Sequence, residues 1–256
     1  VSVRVLLSND DGVHASGLKA LAAAVRADDV ELWVAAPSKE HSAQSHAFTL
    51  HKPLRAHEVS PRWFGVSGTP ADCVYLGVHG LLPERPDVVI SGINRGSNLG
   101  WDVHYSGTVA AAREAAFSGV PSIAVSLNVR HGATSPHWET AQHVVGQVLA
   151  GLRRGGLAPG IYLNVNVPDV PLAELRGLRW ARLGVRRYEA AVDERIDPRG
   201  RPYYWLGGRH ASFDDDPETD GRLCEQGWAT LTPMHADPTD RAALSRLPEE
   251  WKLDAP

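Results

Sequence analysis

The stretch VRVLLSNDDG, residues 3–12, decides how the rest of the chain is read. Val3 to Leu7 is, Arg4 apart, an aliphatic, partly β-branched run too short for a helix, as a strand buried inside a parallel sheet is. It stops abruptly at Ser8-Asn9-Asp10-Asp11-Gly12, a polar loop that sets two carboxylates side by side at the strand end. Gly17 to Ala27 then supplies helix-forming Leu, Lys and Ala, and Val30 to Ala36 is a second apolar run closed by Pro37. The three pieces spell a β-α-β unit with parallel strands.

The unit recurs along the chain. Helices are predicted over Ala71 to Leu82, Val109 to Phe117 and His137 to Arg153, and strands over Asp87 to Ile90, Ile123 to Leu127 and Ile161 to Val167. The expected fold class is α/β, a Rossmann-like parallel sheet flanked by helices. From about Gly184 the character changes, because charged and aromatic residues crowd together around the turn Asp197-Pro198-Arg199-Gly200. Val185 to Ile196 and Arg201 to Leu206 read as a hairpin, which is marginal in water unless it packs on something else. A last strand, Trp228 to Thr232, and a helix over Arg241 to Leu247, capped by Thr239 or Asp240, complete the chain. The division expected is an α/β catalytic domain over 1–183 and a β-hairpin, strand and helix extension over 184–256.

Composition narrows the partners. A chain of 256 residues with 43% hydrophobic content can bury a sizeable core, and a net charge of -4 gives no basic excess for a nucleic-acid polymer. Small ligands are the better expectation. Only Cys73 and Cys224 are present, far apart and outside any Cys-x-x-Cys arrangement, so both are read as reduced thiols of a cytoplasmic protein. The first apolar run is too short for a secretory core, and no stretch approaches the ~20 apolar residues of a membrane span.

In open parallel sheets ligands bind beyond the carboxyl ends of the strands, so the loops after Leu7, Ala36 and Ile90 are where chemistry is sought. Asp10 and Asp11 repel one another unless a cation or shared proton intervenes, and a hard divalent ion such as Mg²⁺ or Mn²⁺ is the natural solution. By themselves two acids before a glycine are more often a helix cap than a metal site. The loop Ala36 to Phe48 carries serines, a glutamine and two histidines, and could add a neutral oxygen or be a solvated connection. His41 and His46 match no zinc spacing. In Ser91 to Gly119, Asn94 and Asn98 sit among glycines, and Ser106-Gly107-Thr108 opens an alanine-rich helix. Backbone N–H groups and hydroxyls at a helix start can receive a phosphate, although an ordinary serine cap reads the same way. The chain carries neither a Walker loop nor a Gly-x-Gly dinucleotide fingerprint.

Taken in order, LLSNDDGVHASGLKAL (6–21), VAAPSKEHSA (34–43), GTPADCVYLG (68–77), SGINRGSNLG (91–100) and YSGTVAAAREA (105–115) resemble the SurE (survival protein E) nucleotidase family, with weaker agreement at LNVNVP and DPRGRPYYW. The resemblance implies a metal-dependent phosphatase of nucleoside 5'- and 3'-monophosphates, extending in some members to short polyphosphate. It implies one divalent ion per subunit, Mg²⁺ or Mn²⁺, held by Asp10, Asp11, Ser42 and Asn94, with Asn98, Ser106, Gly107 and Thr108 contacting phosphate and Thr69 nearby. It also implies a homodimer or homotetramer that exchanges C-terminal elements. Ser16 stands where many members have proline, and Pro217-Glu218 precedes Thr219-Asp220 where glycine is commoner, which leaves the role of Asp220 open.

The mechanism expected is in-line attack by a metal-oriented water, with Asp10, Asp11, Asn98 and Ser106 as the catalytic set. A covalent aspartyl phosphate on Asp10 is the variant mechanism. The general base is left open between Asp10, Asp11 and His104, and Tyr105 or Trp101 could stack on a nucleobase. The alternative of a different class is a non-catalytic, metal-dependent nucleotide or phosphate sensor on the same sheet.

Overall fold

A computed structural model describes residues 2–129 and 132–246. In chain order the elements are β1 (Val3–Ser8), α1 (Ser16–Val25), β2 (Val30–Pro37), β3 (Ala56–Ser60), β4 (Trp63–Val66), α2 (Pro70–Leu76), β5 (Val88–Arg95), α3 (Gly107–Phe117), β6 (Ser122–Asn128), α4 (Trp138–Gly155) and β7 (Ile161–Pro168). There follow β8 (Leu178–Trp180), β9 (Arg186–Ile196), β10 (Pro202–Phe213), α5 (Asp220–Glu225), β11 (Ala229–His235) and α6 (Arg241–Leu244). Nine strands form one sheet in the order β3-β4-β2-β1-β5-β6-β7-β11-β8, and β9 and β10 pair separately.

The strands from β4 to β7 in that order are parallel to their neighbours, while β3 and β11 run antiparallel to β4 and β7. The α/β expectation therefore holds, with a mixed edge on each side. Side-chain alternation along β1 explains the layers. Val5 and Leu7 enter a core shared with Leu18, Leu21, Val144 and Val148 of α1 and α4. Leu6 enters the opposite core with Val74, Ala111 and Ala115 of α2 and α3. Chain order reverses at the β1–β5 junction, β1 leading to β2 on one side and β5 to β6 on the other. Such a switch point opens a crevice between diverging loops.

Two expectations are corrected in extent. The helix read from Ala71 to Leu82 is α-helical only over Pro70–Leu76 and finishes as a π-helical turn, Gly77–Leu81. The second hairpin strand continues to Phe213 instead of stopping at Leu206. Strands β3, β4 and β8 were not expected: β3 shows mostly exposed side chains and β8 has three residues, so neither has an apolar pattern to read. The C-terminal helix is seen over Arg241–Leu244 with Asp240 as its cap, its side chain accepting from Ala243 N at 2.8 Å. Leu247 lies outside the described residues.

Candidate metal and phosphate site

The site is built first by the turn that follows β1. Asn9, fully buried, donates from Nδ2 to Gly12 O at 3.0 Å and accepts from Gly12 N at 3.2 Å, so its side chain closes the loop that carries both acids. Gly12 takes φ +102°, which a side chain would resist. The loop is also tied sideways, because His41 N donates to Asp10 O at 2.8 Å.

Asp10 is only 6% exposed. Burial raises its carboxyl above the usual range, against hydrogen bonds from the hydroxyl and amide of Thr108. The start of α3 thus points at Asp10 itself. A Cβ on Gly107 would lie 2.9 Å from Asp10 Cβ, so glycine is what lets the helix come this close. Asp11 accepts from Arg95 N at 3.3 Å, and burial, then the charge of Asp10, push it up to about 6.

The third wall comes from a bulge in β5. Its register with β6 slips between Ser91 and Asn94, at Gly92, where φ is +137° and a Cβ would meet Val125 O at 2.3 Å. The slip brings Asn94 to the crevice. Asn94 donates from Nδ2 to Gly96 O at 2.8 Å, which commits its nitrogen and turns its carbonyl oxygen into the available group. Ser42 sits on the loop after β2 and donates to Glu40 Oε1 at 2.6 Å. That loop is fixed from behind by Ser45, whose amide and hydroxyl donate to Tyr105 O and His104 O at 3.0 and 2.6 Å.

Asp10, Asp11, Ser42, Asn94, Asn98 and Ser106 all line one cleft of about 350 Å³. Glu40, Arg95, Asp102, Tyr105, Arg186 and Tyr188 line it too. Four carboxylates against two guanidiniums make a place that favours a cation. The donor set suits a hard divalent ion: two carboxylates with neutral hydroxyl and amide oxygens, and no group of three His, Cys, Asp or Glu able to hold a metal among the described residues. His41 is engaged with Gln44. Arg113 Nε donates to His46 Nδ1, so its Nε2 carries the proton and donates to Glu114 at 2.7 Å.

The phosphate-contact residues are placed unequally. Ser106 faces the cleft while its Oγ accepts from Val109 N at 3.1 Å as the cap of α3. Thr108 is fully buried with its hydroxyl and amide both turned to Asp10, Gly107 lies behind the same carboxylate, and neither lines the cleft as Ser106 does. Asn98 is held by residues that sequence reasoning missed: it donates from Nδ2 to Ser126 Oγ at 2.7 Å and from its amide to Asn166 Oδ1 at 2.8 Å, while its carbonyl accepts from Asn164 and Asn166. The signal was present in Leu163-Asn164-Val165-Asn166-Val167, where amides alternate with aliphatics in a buried strand.

Other positions fall outside the cleft. His104 lines a separate cavity with His46 and His235, and Trp101 is exposed and absent from the cleft wall. Thr69 caps α2 in a reciprocal pair with Asp72. Asp220, whose role the sequence left open, is buried and accepts from the amides of Gly100, Gly184 and Gly221 at 2.8, 3.0 and 2.8 Å, so it pins the cleft-side loop to the hairpin base.

These features coincide with a known family. The family model described as Survival protein SurE matches residues 5–190. The 5'-nucleotidase SurE of Anaeromyxobacter dehalogenans is 52% identical over 256 residues, covering 98% of this chain and 96% of its own. That of Citrifermentans bemidjiense is 47% identical over 251 residues, covering 98% and 100%. The crystal structure of the SurE protein from Aquifex aeolicus superimposes with a TM-score of 0.84 at 35% identity, covering 95% of this chain and 98% of that one. With its switch-point acids, bulged fifth strand and capped third helix, the chain belongs to the SurE family.

Proposed function

We propose that this protein is a 5'-nucleotidase, a phosphomonoesterase that converts nucleoside 5'-monophosphates, and 3'-monophosphates by the same chemistry, to nucleoside and phosphate. The observation that carries the reading is the joining, in one cleft, of paired carboxylates, neutral oxygens and the start of α3. Nucleotidase relatives spanning nearly the whole chain support it.

Asp10, Asp11, Ser42 and Asn94 are the residues that would hold one Mg²⁺ or Mn²⁺ per subunit. Bound there, the ion supplies Lewis-acid polarisation of the phosphoryl group and charge neutralisation. Thr108 fixes the direction of Asp10, and the Asn9 turn fixes Asp11 beside it. Asn98, immobilised by Ser126, Asn164 and Asn166, and Ser106 at the helix start are the groups set to receive phosphoryl oxygens. Water attacks phosphorus as the ester P–O bond breaks, and the water's proton ends on the leaving ribose oxygen. Asp10 or Asp11 is the nearest base. Tyr105, exposed on the cleft wall, would be the stacking partner of a nucleobase.

The assembly proposed is a homodimer or homotetramer in which 184–256 forms the inter-subunit extension. Its support is the β9–β10 ribbon, which pairs apart from the main sheet and exposes Val192, Ile196, Tyr203, Tyr204, Trp205 and Leu206. No helix among the described residues is long and apolar enough to cross a membrane. A cytoplasmic location is proposed from the two buried free cysteines. The deciding assay is phosphate release from a panel of nucleoside monophosphates with Mg²⁺ or Mn²⁺. Metal-dependent release is expected, and nucleotide binding without release overturns the reading.

A further inference from the structure

Arg186 opens β9, beyond the part of the chain that carries the acids, yet it lines the 350 Å³ cleft and also an adjoining cavity of about 860 Å³ that shares Asp11, Glu40, Arg95 and Ser97 with it. Its side chain is 19% exposed and held on one edge: Nη1 donates to Asp102 Oδ2 at 2.8 Å and to Ser97 Oγ at 3.3 Å. The guanidinium carbon lies 5.2 Å from the centre of the Tyr188 ring and 5.8 Å from that of Phe213. Asp102 is held in turn by the hydroxyl of Tyr188.

The other edge is not used. Nε is buried and has no hydrogen-bond partner among the described residues. An N–H without accessible surface cannot donate to an incoming ligand, so contact falls to the exposed part of the guanidinium. The second arginine on the cleft, Arg95, has its guanidinium drawn off to Ala133 O at 2.6 Å. Arg186 is therefore the cation left to meet an anion that enters among the acids. A phosphate monoester is that anion, and arginine's fork matches its oxygens.

We propose that Arg186 contacts the phosphoryl group through the exposed part of its guanidinium on the cleft wall, and that Asp102 is the positioning residue that holds the guanidinium in place. This rests on the Asp10–Asp11 cleft being the reaction site. The test compares Arg186→Gln with the wild type in three measurements: competitive inhibition by inorganic phosphate, KM for a nucleoside monophosphate, and direct Mn²⁺ binding to the protein without substrate. Loss of a charge-assisted hydrogen bond raises the phosphate inhibition constant and KM by roughly 10- to 100-fold, with Mn²⁺ affinity and the melting temperature held. An unchanged inhibition constant overturns the proposal, and so does a fall in Mn²⁺ affinity that matches the fall in phosphate affinity. If Arg186→Gln does not fold, Arg186→Lys decides, since it keeps the charge beside Asp102 but lacks the planar guanidinium fork: weaker phosphate inhibition supports the contact and an unchanged value overturns it. Asp11→Asn in the same Mn²⁺ titration separates the two readings, because retained Mn²⁺ affinity there refutes the metal site while leaving the Arg186 result to stand.

Discussion

The loops at the carboxyl end of β1 and β5 and the hairpin β9–β10 are opposites in construction. Around β1 every turn is fixed from inside: Leu6 and Leu7 are fully buried, Asn9 closes its own loop, and Thr108 holds Asp10. The hairpin instead turns Trp205 and Leu206 outward, with Leu206 86% exposed. A two-stranded ribbon that buries little of its own apolar surface is not stable by itself. The first region is therefore organised by this chain alone, and the second is the surface that the proposed assembly would cover, except at its base, where Arg186 and Asp220 tie it to the cleft.

That contrast can be broken in order of expected effect. Removing metal with a chelator and dialysis should abolish phosphate release, a loss of several orders of magnitude, with return on adding Mn²⁺ or Mg²⁺; activity that survives chelation would detach the chemistry from the acids. Leu7→Ala should cost about 2–5 kcal/mol in denaturant unfolding, because a fully buried leucine leaves a cavity between the sheet and α1. Asn9→Ala should cost about 1–3 kcal/mol by leaving the Gly12 amide unpaired, and should lower turnover through the misplaced acids. Leu206→Ala should change subunit stability by no more than about 0.5 kcal/mol. The same substitution should weaken the assembly, shifting the mass in light scattering toward the monomer on dilution. Equal costs for Leu7→Ala and Leu206→Ala would erase the distinction between the two regions.

The sequence revealed the parts whose side chains face inward. The strands β1, β2, β5, β6 and β7 were legible because each is rich in aliphatic, β-branched residues, and the loops after them followed from the parallel arrangement. β3 and β4 were not, since β3 is an edge strand with exposed side chains and β4 is a run of only four residues. The acids were visible, but their placement beside Ser42 and Asn94 came from family resemblance, as spacing alone left several readings open. What could not be read is long-range polar contact: Arg186 meets Asp102 across 84 positions, and Asn98 meets Asn166 across 68. No local periodicity encodes such pairs. Thr108 shows the same limit, because its hydroxyl is engaged with a carboxylate beyond the end of β1, a contact its local sequence does not announce.

The most direct test of the central claim, that Asp10 and Asp11 hold the catalytic ion, is calorimetric titration of Mn²⁺ into the wild type and Asp11→Asn, read beside turnover of a nucleoside monophosphate. The account predicts one site per subunit in the wild type, and in the variant a loss of that binding together with a fall in turnover of roughly 100-fold or more. Full Mn²⁺ affinity and full metal-dependent turnover in a folded Asp11→Asn protein would contradict it.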